Sequence, residues 1–463
     1  MRTLLATAVT AAIALTAVSP ATADRTGADW VSSDNVEYLG SLKEDVGLTT
    51  GARVVGDRLF VTSGKNISIY DISTPETPQR LGSMAVNISW ENEEVPTNGR
   101  VLAFASDFYN LMPGCASELA VTGCVQFFDV RDPANIQEVA HIPIANHTAE
   151  CALDCKYLYG SAGTIIDARG VLDGQAPTVI GDWIDELETQ GVESRSCHHI
   201  RELRPGVLLT ACRPFSVITI NPSDAPGASP EHPKVLATGE AAKFVHSARW
   251  PRKGGDKFVL TGGEANFTGR CELADSEFST YSAEAVNEGR STTFEGPLFQ
   301  KPPSGNGTYV DGKPVANHLG CSVHWFQEHR SFKNGGLVAL SEYENGVRFL
   351  QIHKDGSIEE QGFFLPLGGS SSSPKWAPSG DVVYSVDYDR GLDIIRWTGQ
   401  HYVPKAKGKG LKRERGRARG TNGTSPIPAL DRRQLARRDR LADKLRAQGW
   451  SPSLCRLAAD RSF

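Results

Sequence analysis

One grammar repeats along this chain, and it restricts the fold more than any other feature. The clearest copy opens with Gly51-Ala52-Arg53-Val54-Val55 and the turn Gly56-Asp57. It continues as Arg58-Leu59-Phe60-Val61-Thr62, turns again at a glycine, and runs through Asn66-Ile67-Ser68-Ile69-Tyr70-Asp71-Ile72 into Ser73-Thr74-Pro75-Glu76-Thr77-Pro78. Short runs of Val, Ile, Phe and Tyr punctuated by Gly, Asp and Pro are strands joined by tight turns. Six further copies follow, with first clear strands at Val101, Tyr157, Val207, Phe258, Leu337 and Val382. A spacing of roughly 45 residues is the period of propeller blades. A single blade cannot bury both its faces, so seven must stack into a ring. The expected fold is all-β, a seven-bladed β-propeller; a β-sandwich has no need of seven similar units. Segments 36–42, 78–84 and 358–365 supply remaining strands. Residues 266–320 interrupt the spacing after the fifth unit and read as a long insertion on one face, with a strand near 276–285.

The two ends differ from this body. Residues 1–23 read as an export signal: Arg2, an apolar run over 4–18, then the small-residue site Ala21-Thr22-Ala23. The run is too short and too alanine-rich for a membrane span, an anchor helix being the alternative, and no other segment reaches the ~20 apolar residues a span needs. Residues 24–403 are the expected propeller, in a secreted, extracellular and monomeric protein. Residues 404–463 form a basic linker and tail: positions 405–463 hold 5 Lys and 12 Arg against 5 acidic residues, in a chain whose net charge is −5. Within it, 431–448 reads as a short helix with Leu435, Leu441, Ala442 and Leu445 on one stripe. Such a tail suits an anionic cell-surface polymer, a protein partner or the acidic body itself. No aromatic residues are interleaved among the dense charges of 405–440, so no nucleic acid is expected.

Nine cysteines fit an oxidising compartment. Short loops suggest the pairs Cys115–Cys124, Cys151–Cys155 and Cys197–Cys212; Cys271–Cys321 would clamp the insertion, and Cys455 is left over. No CxxC pair points to a thiolate zinc site.

The repeat resembles the LVIVD repeat of secreted bacterial propeller-like proteins, an apolar strand and a glycine turn followed by Leu-x-Ile-x-Asp-x-Ser-x-Pro-x-x-Pro. Residues 67–78 match that run, 125–133 and 165–167 match in part, and units five to seven lack the Asp-Ser-Pro ending. The resemblance spans most of residues 36–400. It implies export and a propeller fold. Function is left to the site, because propellers host many activities.

Four consecutive units carry a histidine ahead of their first clear strand: His147, His199, His246 and His324. The start of an innermost strand lies at the central channel, so these positions converge on one axis. Units one, two and seven offer Thr50 or Gly51, Glu93 or Glu94, and Lys375 or Trp376 instead. Neutral imidazoles suit Cu, Fe, Zn or Ni, and the acids Glu94, Glu150, Glu202 and Glu264 could orient them. Such a ring is similar, in architecture alone, to the iron centre of carotenoid-cleaving oxygenases. The competing reading is structural, since LVIVD-type units carry a hydrogen-bonding histidine near a blade's start. His198 is expected to face away from His199 along an extended strand. Asp387 and Asp389 form a close acid pair of the kind a glycosidase uses. No GxSxG, HExxH, P-loop or dinucleotide fingerprint is present. Three functions stay open: a binding or scaffold module with a metal or small ligand in its channel, a secreted metalloenzyme for redox or oxygen chemistry, and a polysaccharide-acting enzyme.

Overall fold

The computed structural model describes residues 25–26, 30–42, 49–86, 93–106, 123–240, 244–264, 276–304, 309–310, 313–314, 322–366 and 369–401. The expected export signal, the basic tail with its expected helix, and Cys115, Cys271, Cys321 and Cys455 lie outside these residues.

The chain is a seven-bladed β-propeller. Blade one is the antiparallel sheet Thr49–Val55, Arg58–Ser63, Asn66–Asp71 and Gln79–Ala85. Blades three, four and five repeat that order, starting from the inner strands Ala149–Ala152, Arg195–Arg204 and Ser247–Arg249. Blade two keeps three regular strands. Its inner position is taken by residues 93–97, which Pro96 prevents from donating a full ladder, leaving an isolated bridge from Thr97 to Leu102. Blades six and seven start at Phe326–Glu328 and Ser371–Trp376.

The aspartate that closes the third strand of early repeats has a local task. Asp71, Asp129 and Asp167 each accept a hydrogen bond from the backbone N–H two residues on, at 2.7, 3.0 and 3.0 Å. Each stops its strand with a side-chain turn. The core is not one mass but seven apolar seams, one between each pair of neighbouring blades. Phe60, Phe104 and Phe128 fill the seam of blades one and two; Phe349, Trp376 and Trp397 fill that of six and seven.

The ends of the chain close the ring. The N-terminal strand Val36–Leu42 pairs antiparallel with the C-terminal Gly391–Trp397 and becomes the outer strand of blade seven. Just before it, Trp30–Ser32 adds to the edge of blade six by pairing with Ile358–Pro366.

The expected insertion at 266–320 needs correction. Phe278–Ser282 and Glu295–Lys301 are the two outer strands of blade five. The first falls within the strand expected near 276–285; the second escapes the pattern because Glu-Gly-Pro-Leu-Phe-Gln-Lys carries a proline, tolerated on an edge strand. The remaining segments of that stretch, apart from the short pair Tyr309–Val310 and Lys313–Pro314, lie outside the described residues.

Candidate functional site

The inner strands carry two tiers of ionisable side chains to the propeller axis. The upper tier stands where those strands begin. His147 precedes Ala149–Ala152, His198 lies within Arg195–Arg204, His246 precedes Ser247–Arg249, and His324 stands two residues ahead of Phe326–Glu328. Their rings form a row across four blades, with centroids 4.5 Å apart from His147 to His198, 3.7 Å from His198 to His246 and 4.5 Å from His246 to His324. Two carboxylates join them. His246 Nε2 is 3.9 Å from Glu93 Oε2 and 3.6 Å from Glu264 Oε2. His324 Nε2 is 3.4 Å from Glu93 Oε1 and 3.8 Å from Glu264 Oε1.

Two sets of these side chains could hold a metal ion. The donor atoms of Glu93, His198 and His246 lie within 4.8 Å of one another, and so do those of His246, Glu264 and His324. Ligands at ~2.1 Å on a tetrahedral ion stand about 3.4 Å apart, so small side-chain movements would close either set. The tautomer of His324 fits too. Its Nδ1 lies 2.9 Å from the carbonyl oxygen of Ser372, which can only accept. Nδ1 therefore carries a proton while Nε2 faces Glu93 and Glu264, the orientation of a ligating imidazole once a cation displaces its second proton. Aromatic side chains hold the acids in place: Trp325 Nε1 donates to Glu93 at 2.7 Å, Tyr388 donates to Glu93, and Tyr343 donates to Glu264 while stacking on His324 at 4.5 Å.

Electrostatics divide the tier. Burial opposes the charge of Glu93, but His324 beside it, with His198 and His147, outweighs that cost and holds the carboxyl well below its usual range. Burial lowers His324 as well, yet Glu93 and Glu264 overcome it and raise the imidazole. Burial and the neighbouring histidines keep His198 and His246 neutral, far below the ordinary value. Burial raises Glu264 and drives Tyr343 well above the usual phenol.

His198, not His199, occupies the row. The two side chains do part company along the strand. Ser196 sits at φ 51°, and the pairing register shifts between Arg195 and His199. That irregularity sets which of the two faces the axis. His199 packs edge-on against Trp325 at 4.6 Å, and its Nδ1 accepts the N–H of Ala248 at 3.3 Å.

The lower tier lies about three residues further along the inner strands, ~10 Å at a strand's rise. Each blade contributes one residue: Arg53, Glu94, Glu150, Arg201, Arg249, Glu328 and Lys375. Arg53 grips Glu150 with three hydrogen bonds of 2.9–3.2 Å. Glu94 is bonded by Lys375 and, at 3.2 Å, by Arg249, with Arg201 at 3.9 Å. Thus Glu94 and Glu150, expected beside the histidines, serve this ring instead, and Glu93 takes the histidine side. Glu202 is committed elsewhere, accepting the backbone N–H of Leu153 and of Gly206, both at 2.8 Å. Among the expected site residues, the structure brings together His147, His246, His324 and Glu264.

Asp387 is fully buried and caps its own turn through the N–H groups of Asp389 and Arg390, each at 3.0 Å. Its Oδ1 is thereby committed to the backbone.

Two expected disulfides brace the site, Cys151–Cys155 and Cys197–Cys212. Cys197 adjoins His198 and ties that strand to its neighbour. Closing a loop of 15 residues is worth about 3 kcal/mol in the chain-entropy account. The Cys197→Ser/Cys212→Ser double variant is therefore expected to lose about that much stability in urea titrations; an unchanged midpoint would show that the strand pairing alone holds the segment.

No protein-family model and no curated protein sequence matches the chain. Among solved structures, the Myceliophteria thermophila Cps50 (Swd1) beta-propeller domain aligns at 12% identity with a TM-score of 0.46, over 78% of this chain and 99% of that one. The structure of U3-55K aligns at 12% identity with a TM-score of 0.47, over 78% of this chain and 98% of that one.

Proposed function

We propose that the chain is an exported, monomeric propeller of the LVIVD-repeat kind whose channel binds a transition-metal ion. His147, His198, His246 and His324 with Glu93 and Glu264 are the donors. One observation carries this reading. His246 is 0% exposed, and neither of its ring nitrogens has a hydrogen-bond partner among the described residues. His198 Nδ1 is likewise buried and unpartnered. An imidazole buried without partners is costly; a bound cation would supply the missing interaction. Imidazole with carboxylate suits Zn, Cu, Fe or Ni. The two internal disulfides agree with an oxidising, extracellular setting.

The site is open on one side. His147 and His198 are half-buried, and Glu264 is 12% exposed. An ion with protein donors on one side and solvent on the other can exchange a ligand, which favours a metalloenzyme as the second reading over a sealed structural site.

Purified mature protein is expected to contain a stoichiometric transition metal by elemental analysis, and chelation should lower its melting temperature. His246→Ala should abolish both. Protein that carries no metal, and whose melting is unmoved by added Cu, Fe, Zn or Ni, would return the histidines to a structural role.

A further inference from the structure

The lower tier is a different kind of site. We propose that Arg201, Arg249 and Lys375 bind a small oxyanion, a carboxylate or an inorganic equivalent, in the channel below the histidines.

The charge count comes first. Across the seven blades this ring holds four cations, Arg53, Arg201, Arg249 and Lys375, against three carboxylates, Glu94, Glu150 and Glu328. Glu202 lies beyond Arg53, where burial raises its carboxyl towards the neutral form. A surplus positive charge in a buried ring is costly unless something neutralises it.

The hydrogen bonding shows where the surplus sits. The Arg201 side chain makes no hydrogen bond among the described residues, and its ion-pair distance to Glu94 is 3.9 Å. Arg249 has a side chain only 2% exposed, yet its Nη1 has no hydrogen-bond partner. That nitrogen stands 3.8 Å from Glu328 Oε2, which is also buried and unpartnered. Arg390, buried in blade seven, shows the satisfied arrangement, holding Asp393 through bonds of 2.7 and 3.0 Å. Two guanidinium groups and an ammonium whose hydrogen bonds all go to Glu94, with Glu328 only within ion-pair distance, leave donors over. Planar forked donors of this sort match an oxyanion.

Access and selectivity follow from the surroundings. Arg201 and Glu328 are 26% and 20% exposed, so a small anion can reach the ring from solvent. Lys375 reports the field there. Burial, with Arg249 and Arg201 against the pull of Glu94, brings its ammonium down to about 8. The remaining charged groups of the ring are Arg53, Glu150 and Glu328, and His199 lies behind Glu94. Lys375 is charged below about pH 8 and loses that charge above it, so anion affinity is full at pH 7 and falls as the pH rises through 8.

The test uses the mature chain in sodium sulfate and in sodium acetate, against sodium chloride at matched ionic strength, read by thermal melting and isothermal titration calorimetry. The expected result is a saturable stabilisation by at least one oxyanion that chloride does not reproduce, and weaker affinity at pH 9 than at pH 7. Sulfate alone, acetate alone or both would say which oxyanion shape fits. The partly exposed Arg201→Gln variant should bind at least tenfold more weakly while melting no lower than wild type in chloride, because it removes surplus charge. Equal shifts in chloride, a non-saturating response, affinity flat from pH 7 to 9, or Arg201→Gln behaving as wild type would each overturn the proposal. A metal-free preparation should give the same result, so failure of the metal reading leaves this test intact.

Discussion

His198→Ala is expected to strip the metal from the mature protein, whereas His199→Ala is expected to leave it bound. The two residues are sequence neighbours of identical chemistry, so the contrast isolates geometry. His198 stands between His147 and His246, its ring centroid 3.7 Å from that of His246. Its Nδ1 is buried without a partner. Losing it removes one member of the Glu93–His198–His246 set. Removal of an outer-shell partner typically costs tenfold to a hundredfold in metal affinity, and loss of a direct donor should exceed about a hundredfold. His199 offers no comparable lone pair, because its Nδ1 already accepts the N–H of Ala248. Its loss should appear as destabilisation of about 1–3 kcal/mol, from an orphaned backbone donor and a void beside Trp325. Elemental analysis and urea titration of both variants separate the effects. Retained metal in His198→Ala with loss in His199→Ala would mean that the strand presents the opposite face to the axis.

That pair also marks how far the amino-acid sequence can be read. The blades were legible because burying two faces per sheet forces apolar runs at a fixed period, and Asp71, Asp129 and Asp167 mark the third strand's end. The convergence of His147, His246 and His324 was legible because equivalent positions in consecutive blades must meet at one axis. Parity was not legible. Alternation says that His198 and His199 part, but a left-handed Ser196 and a register slip set which one faces in. The same ambiguity exchanged Glu93 and Glu94 in a segment without a regular strand. Of blade five's outer strands, Phe278–Ser282 falls within the strand expected near 276–285, whereas the edge strand Glu295–Lys301 hid because an edge strand needs few aliphatic residues. Tyr343 and Tyr388 were overlooked although a signal existed. Glu342-Tyr343-Glu344 and Asp387-Tyr388-Asp389 are matching acid-Tyr-acid turns in blades six and seven. In both turns it is the phenol between the acids that reaches the histidine tier. The lower ring was harder still, since Arg53, Arg201, Arg249 and Lys375 look like ordinary strand residues until seven blades bring them together.

Val36→Asp is expected to destabilise the protein by about 3–5 kcal/mol, and Glu37→Ala by less than about 1 kcal/mol, although the two residues are adjacent in the closing strand. A propeller holds itself through seams between blades, so each seam depends on both neighbours. The seam of blades six and seven depends in addition on the N-terminal segment. Val36 is 0% exposed there, packed with Phe349, Phe364 and Trp397. Trp30, Tyr38 and Phe364 stack beside it with centroids 5.2–6.3 Å apart. Ser33 and Asn35 bind the backbone of Phe363 and Gln361, an approach that needs Gly362: a Cβ there would meet Asn35 Oδ1 at 2.4 Å. An aspartate at position 36 buries an unpaired charge in this seam, the costly case. Glu37 points outward instead, 42% exposed in its ion pair with Arg396 at 3.0 Å, and such pairs contribute little. Because the strand Val36–Leu42 supplies the outer strand of blade seven by pairing with Gly391–Trp397, damage to it should open the ring rather than loosen one edge. The urea transition of Val36→Asp should therefore shift to lower denaturant as a whole. A shift no larger than that of Glu37→Ala would mean that the seam tolerates the charge and that ring closure rests on the other strands of blade seven.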